Sequence, residues 1–523
     1  MIQTLIKQNN YMDSIFLMRA GKEIGQLAGI KKAVVVMGTE LNKTVLAEFG
    51  ALDDRTKRAG TNDLIVAVDA DEEVLDAVEV CLEELLAAKV KPAEEDKAEA
   101  YVSVQDAAEA DPDLNLAVIS LPGEFAAYEG IKALKLGMHV FMFSDNVPLE
   151  DELEMKRIGR EKGLLVMGPG AGTAVIDNIS IGLMSKVRRG RIGIVAASGS
   201  GLQEVAMLVH NWGEGISQAI GTGGRDLSKE VGGSTMLMGM DFLKKDPDTD
   251  VIVLISKPPH PDTMAKMFEA VKVLGKPCVI FFLGGAPEQI RESGAWYAST
   301  LEEAAKLAVA LVRGEAVEQG DFTATLCREL EPVAKREAAL LNKSGEQKYL
   351  RGLFCGGTHS EEAVLLLQDF LPDLYSNLRF GKVRMLENRH ISVKNCLVDM
   401  GDEEFTVGRP HPVMDPSILK ERLLQEGTDP ETAVLLFDVL LGYGVHEDPV
   451  GTFVDTLQEI RNKNTEAGRY VSMVASVCGT DLDPQNYAQQ KKRLEDLGVL
   501  VLESNGRAAL LAGLIVKEAA GNE

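Results

Sequence analysis

Two short Gly/Ser turns, each set between an apolar run and a helical pattern, constrain this chain more than any other feature. The first is Ala197-Ser198-Gly199-Ser200-Gly201, after Arg191-Ile192-Gly193-Ile194-Val195-Ala196. The second is Cys355-Gly356-Gly357-Thr358-His359, after Leu350-Arg351-Gly352-Leu353-Phe354. Leu202, Val205, Ala206 and Val209 follow the first turn at helical spacing, and Ala363, Val364 and Leu367 follow the second. Strand, glycine turn and helix in that order belong to parallel α/β sheets, whose ligands bind at the carboxyl ends of the strands. Such a turn aims free backbone N–H groups and the positive end of a helix dipole at one point, where a phosphate is stabilised. Two of them in one chain predict one phosphoryl group held from two sides.

A chain of 523 residues exceeds what one core can organise, so three α/β units are expected. The net charge of −25 argues against nucleic acid and anionic membrane surfaces as partners. It does not exclude an anionic small molecule, because local N–H groups outweigh a distant negative surface. No run of 18 apolar residues predicts a membrane span, and Met1–Lys7 lacks a signal-peptide core. The six cysteines show neither a disulfide framework nor zinc-ligand spacing, and no metal site is expected. A cytoplasmic, reduced protein is the default expectation.

Apolar runs predict strands at 33–38, 64–68, 116–120, 140–143 and 164–167, with a helix over 71–88 and another over 128–136. Residues 91–100 read as a charged loop. A second unit has strands at 192–196, 216–219, 251–255 and 278–282 and closes on a helix near 301–313. Residues 314–347, rich in Glu, Lys and Ala, read as a helical linker. The third unit has strands near 350–354, 395–399, 471–475 and 498–502, with helices at roughly 360–370, 417–427, 430–441, 451–463 and 484–496.

These segments resemble the succinyl-CoA synthetase superfamily. Residues 116–176 are similar to the end of its CoA-binding domain. Residues 191–258, with Gly221-Thr222-Gly223-Gly224-Arg225-Asp226 and Lys244-Lys245-Asp246-Pro247-Asp248-Thr249, are similar to its α ligase domain, and 350–362 to the phosphate-site turn of its β subunit. Within the superfamily the chain resembles the FdrA family. It shares the fusion of the two halves, Phe354–His359, Asp399-Met400-Gly401-Asp402, Gly408-Arg409-Pro410-His411-Pro412-Val413-Met414-Asp415 and Phe437–Gly444. The resemblance implies an α/β fold of three parallel-sheet units. They are a Rossmann-like CoA-binding-type domain (1–165), a flavodoxin-like α-type ligase domain (166–313), the linker (314–347) and a flavodoxin-like β-type ligase domain (348–523).

It also implies two activities, acyl-CoA synthesis and oxamate carbamoyl transfer in purine and allantoin breakdown, each with companion subunits in an oligomer. Residues missing from the superfamily pattern separate them. Succinyl-CoA synthetases pass phosphate through a histidine after the last strand of the α ligase domain, yet no histidine lies between His260 and His359. Nothing here has the length of the superfamily's ATP-grasp nucleotide module. Glu40, in Met37-Gly38-Thr39-Glu40, is poor company for a pyrophosphate, so CoA is a possible rather than an implied cofactor. What remains is a phosphate cradle without a phosphoryl carrier, which suits carbamoyl phosphate or another phosphorylated small molecule. The expected function is therefore a carbamoyltransferase subunit, with an acyl-CoA ligase working through partner subunits, and a non-catalytic scaffold, as the alternatives.

The candidate phosphate-binding residues are Ser198, Gly199, Ser200, Gly201, Gly356, Gly357 and Thr358. Gly223, Gly224, Arg225 and Arg409 are candidates for the substrate, an arginine suiting a bidentate grip on a carboxylate. His359 and His411 are candidate catalytic groups, since imidazole moves protons near neutral pH. Lys257, after the strand at 251–255, is a further residue suited to an anion.

Overall fold

The computed structural model describes residues 1–12, 14–71, 73–90, 101–317, 320–341, 346–406 and 409–521. The charged loop expected at 91–100, part of the linker and Gly408 lie outside the described residues. The chain divides into two units, residues 1–100 with 407–409, and residues 101–406 with 410–523.

In the first unit, β1 (Ile2–Lys7), β2 (Ile30–Met37) and β3 (Leu64–Ala70) form one sheet in the order β1-β3-β2, with both pairings antiparallel. This corrects the expectation that residues 33–38 and 64–68 begin a parallel Rossmann-like domain running to 165. The central strand explains the misreading. Leu64, Val66 and Val68 pack with Phe16, Ala20, Val78 and Leu82 on one face, while Ile65 and Ala67 pack with Leu46, Ala51 and Ala59 on the other. A strand covered on both faces reads as an unbroken apolar run whatever the direction of its neighbours.

The second unit is α/β, as expected, and holds three sheets. The shortest has parallel strands Leu116–Ile119, His139–Met142 and Val166–Met167. A seven-stranded sheet carries parallel strands Arg189–Ala196, Ile216–Gly221, Val251–Ser256, Cys278–Phe282 and Trp296–Tyr297, edged by the antiparallel hairpin Thr173–Ile176 and Ile179–Gly182. The other seven-stranded sheet is wholly parallel, with Tyr349–Phe354 between Asn395–Asp399 and Thr432–Leu440.

Residues 430–441, expected as a helix, form the strand Thr432–Leu440, every residue of which is buried. Its leucine-rich run fits either period, and burial on both faces removes the alternation that tells them apart. The linker contains the helix Phe322–Ala338, whose Leu326, Leu330 and Ala334 pack with Leu511 and Ile515 of the C-terminal helix Asn505–Gly521.

The strands Arg189–Ala196 and Tyr349–Phe354 have parallel neighbours on both sides, and the chain leaves each toward one side before returning to the other. Each Gly/Ser turn therefore sits at a switch point of strand order, where open α/β sheets form crevices. The helix Gly199–Asn211 after the first turn is buried continuously from Gly201 to His210. It lies in the core shared by the two seven-stranded layers, with Val205 and Leu208 in one cluster with Phe437, Leu441 and Val477. A helix buried on every face is enclosed on all sides, and this one, with Gln203, Glu204 and His210 among its buried residues, lies where the two layers meet.

Candidate functional site

The two turns meet. Ser198 Oγ lies 2.6 Å from Thr358 Oγ1, and Thr358 N–H donates to Ser200 Oγ at 3.3 Å. A Cβ built on Gly356 would stand 2.9 Å from Ser200 Cβ. Gly356 has an ordinary φ of −95°, so glycine is needed there for room rather than for conformation. Ser198 is the N-cap of its helix and accepts the Gly201 N–H at 3.0 Å. That cap leaves the first-turn amides of Gly199 and Ser200 on one side, and that of Gly357 on the other, in residues that line a common cavity of about 260 Å³.

Of the candidate phosphate-binding residues, Ser198, Gly199, Ser200, Gly356, Gly357 and Thr358 line this cavity. Gly201 lies behind them, its N–H taken by Ser198. Gly223 and Gly224 also line it. Gly223 has φ +83°, and a Cβ there would come within 2.3 Å of Pro169 O, so this loop tolerates no side chain at that position.

Arg225, expected at the substrate, is turned away. Its guanidinium meets Glu152 Oε2 at 2.9 Å and donates to Val147 O. Glu152 and Asp226 both pair with the buried Lys156, and Asp226 accepts the N–H groups of Thr235 and Met236 at the start of the helix Ser234–Lys245. Two buried carboxylates next to one lysine draw in a second cation, which accounts for the position of Arg225. Arg409 is exposed and falls in the short segment grouped with the first unit, outside the unit that holds the turns.

His359 occupies an unexpected place. Its side chain is fully enclosed, with Nε2 2.7 Å from Glu204 Oε2 and Nδ1 2.8 Å from Asp438 Oδ2. Burial pulls its pKa down, but the two carboxylates outweigh that and hold it up at about 10, so the ring is an imidazolium. Asp438 also accepts the N–H groups of Cys355 and Gly356, at 2.6 and 3.0 Å. Glu204 stands on the helix of the first turn and His359 on that of the second. The expected catalytic histidine is thus a buried clamp that ties the two helices and fixes the backbone of the second turn. Its closure away from the cavity follows from the tight meeting of the two layers.

His411 lines the cavity, and burial holds its pKa below the usual value. Lys257 also lines it, half-exposed, with Nζ 2.7 Å from Glu361 Oε1. Asp399, at the end of the strand beside the second turn, belongs to one of the stretches that carry the family resemblance but is given no role from the sequence. Its Oδ2 lies 3.0 Å from where a Gly357 Cβ would stand, and its Oδ1 accepts the Gly401 N–H at 2.9 Å. Burial raises its pKa to about 7. A strand-terminal aspartate ahead of a glycine reads as an ordinary turn residue; only its enclosure marks it out. Cys355 lines the cavity too, but burial and neighbouring carboxylates push its thiol well up, so it is no nucleophile at neutral pH.

Among the described residues, one group has the composition of a metal site, Glu204, His359 and Cys478. Nε2 and Oε2 stand 2.7 Å apart as an ion pair, and burial raises the Cys478 thiol well above its usual value, so the group is a charge pair beside a neutral thiol. No helix among the described residues is long and apolar enough to cross a membrane.

Three family models match the chain: "AllF, heavy metal-associated domain" over residues 1–102, "CoA binding domain" over 187–284 and "CoA-ligase" over 353–515. The antiparallel unit is thus the first of these. Residues 1–100 contain no histidine and one cysteine, Cys81, whose thiol burial raises, so this stretch offers no paired Cys/His ligand set for a heavy metal. A relative in Escherichia coli, the uncharacterized protein YahF, is 41% identical over 515 residues, covering 98% of both chains. The succinate–CoA ligase [ADP-forming] subunit alpha of Methanothermobacter thermautotrophicus is 29% identical over 227 residues, 40% of this chain and 74% of that one. Among solved structures, ATP citrate lyase from Methanothrix soehngenii in complex with citrate and coenzyme A aligns with a TM-score of 0.37 at 13% identity, covering 81% of this chain and 85% of that one.

Proposed function

Since the chain belongs to the family of YahF, FdrA-like proteins within the succinyl-CoA synthetase superfamily, we propose that its paired turns bind the phosphoryl end of an acyl phosphate, and that it is a subunit of an enzyme passing the acyl group to a nucleophile. The observation that carries this reading is the 2.6 Å contact between Ser198 and Thr358, which sets two helix N-termini around one cavity. Each terminus contributes about half a positive charge and unpaired N–H groups. Together they favour the charge that develops on phosphate as it leaves.

The CoA-ligase and CoA-binding matches, and the succinate–CoA ligase subunit among the relatives, support a CoA thiol as acceptor, with companion subunits supplying ATP chemistry. One observation favours the second reading, carbamoyl transfer from carbamoyl phosphate to oxamate. His411 is the one histidine among the described residues that lines the cavity, and it lies in the half that carries the second turn rather than in the loop where the superfamily places its phosphohistidine. Direct displacement at the carbamoyl carbon needs alignment and charge stabilisation but no covalent phosphoenzyme.

The test uses the full chain co-purified with its partner subunits. Phosphate release is followed from acetyl phosphate with CoA, and from carbamoyl phosphate with oxamate. Release in one mixture that falls at least tenfold in Gly357→Val supports the reading and names the acceptor. Failure of inorganic phosphate, acetyl phosphate and carbamoyl phosphate alike to bind the full chain in calorimetry refutes it. Turnover unchanged in Gly357→Val favours the scaffold alternative.

A further inference from the structure

Among the described residues that line the cavity, Lys257 carries the one Lys or Arg side chain. It is the first residue beyond the strand Val251–Ser256, whose end is fixed from both sides. Ala197 N–H, at the base of the first turn, donates to Ile255 O at 2.9 Å, and Leu283 N–H donates to Ser256 O at 3.0 Å. Pro258 and Pro259 follow and restrict the backbone beyond Lys257. The side chain thus starts from a rigid point next to the first turn. It ends beside the second. Its Nζ lies 2.7 Å from Glu361 Oε1, and Glu361 stands one turn along the helix Gly357–Leu367 from Gly357, on the same face.

The two charges are unequally enclosed. Glu361 is buried, whereas the Lys257 side chain is 48% exposed. Glu361 Oε2 is shut away from water and meets no hydrogen-bond donor among the described residues. Burial raises the Glu361 carboxyl, and Lys257 opposes that rise. A buried carboxylate with one oxygen unanswered, facing a half-exposed ammonium, is a weak holder of that ammonium. Asp399, a second carboxylate near Lys257, is raised by burial to about 7 and competes only in part.

We propose that Lys257 is the cation of the phosphoryl site and changes partners on binding: its ammonium leaves Glu361 for a phosphoryl oxygen held by the paired turns, and returns to Glu361 when phosphate departs. This rests on the reading of the paired turns as an acyl-phosphate site. No covalent bond is made or broken in the exchange. Charge balance calls for it. Two helix N-termini supply together about one positive charge, so a dianion between them is left about one charge short. Lys257 paired with Glu361 adds no net charge, and Lys257 on the phosphoryl group closes the difference. Glu361 acts through Lys257 and is a positioning residue: it keeps the ammonium at the cavity between ligands and sets how readily the anion is given up.

The experiment is sulfate binding to the full chain, followed by calorimetry, sulfate being a dianion that does not titrate near neutral pH. Lys257→Met lowers the affinity about 10- to 100-fold, as expected for one charge-assisted hydrogen bond. Glu361→Gln keeps the shape and removes the competitor, so sulfate binds about three- to fivefold more tightly. Structural damage does not tighten binding, so that gain marks the exchange. The double variant Lys257→Met/Glu361→Gln separates exchange from plain repulsion. It leaves no unpaired charge in the buried position, which keeps the test open should Lys257→Met alone fold poorly. With Lys257 gone Glu361→Gln brings no gain, and the double variant binds at least about tenfold more weakly than Glu361→Gln alone. A gain of equal size with and without Lys257, or no gain in Glu361→Gln, overturns the change of partner. Wild-type affinity in both variants that lack Lys257 overturns the assignment of the cation and leaves the paired turns standing as an anion site. Absence of sulfate binding in the wild type overturns the anion site and the exchange with it.

Discussion

Ser198→Ala tests the junction between the turns most directly, because one oxygen performs two tasks. Ser198 Oγ accepts the Gly201 N–H at 3.0 Å and meets Thr358 Oγ1 at 2.6 Å in a buried position. Losing an N-cap costs about 1 kcal/mol. Losing the hydroxyl pair costs about 1 kcal/mol more, and the Thr358 hydroxyl left without this partner adds roughly another 1 kcal/mol. The sum is about 2–3 kcal/mol. Thr358→Val keeps the side-chain volume and removes the hydroxyl pair alone, about 1–2 kcal/mol. The pair is lost only once in the double variant, so the two effects fail to add by about 1 kcal/mol.

Tryptophan fluorescence during urea unfolding reads this locally. Trp212 follows the Gly199–Asn211 helix, and Trp296 stands on the edge strand of the same sheet. With a urea slope of roughly 3 kcal/mol/M, Ser198→Ala moves the midpoint down by about 0.7–1 M. Strict additivity of the two single variants, or shifts below about 0.2 M, would refute an energetic tie between the turns.

Gly356→Ala places a methyl group 2.9 Å from both Ser200 Cβ and His359 Nδ1, so the turns must separate; sulfate affinity falls at least tenfold while the far-ultraviolet circular dichroism is retained. His359 is raised in the folded state from 6.5 to about 10. Its contribution is therefore complete below pH 6.5 and lost as the pH climbs through 10. The melting temperature of the wild type falls between pH 7 and 10, and that of His359→Gln starts lower and stays flat; parallel slopes would show that the clamp is not charged.

The sequence made the turns legible because a glycine-rich stretch between an apolar run and a helical pattern is a local signal. Their convergence is not local: it depends on a buried helix shared by two sheets, and strand order leaves no mark at either turn. His359 shows the limit well. A histidine in the first turn of a helix reads as accessible, and nothing near it in the chain announces Glu204 or Asp438, which arrive from a distant helix and strand. The same holds for Arg225, claimed by Glu152 from another helix. The strands at 64–70 and 432–440 failed differently. Burial on both faces erased the alternation that carries direction in the first and element type in the second.

Both helix ends that face the cavity are carried by one polypeptide, joined through the segment that contains the Phe322–Ala338 helix. Closing the cradle is therefore a first-order event, governed by the effective concentration of one half around the other rather than by how much protein is present. Dilution does not take the halves apart, and their stoichiometry is locked at one to one. Gene dosage cannot unbalance them, and a lesion in either turn disables the whole cradle of that chain.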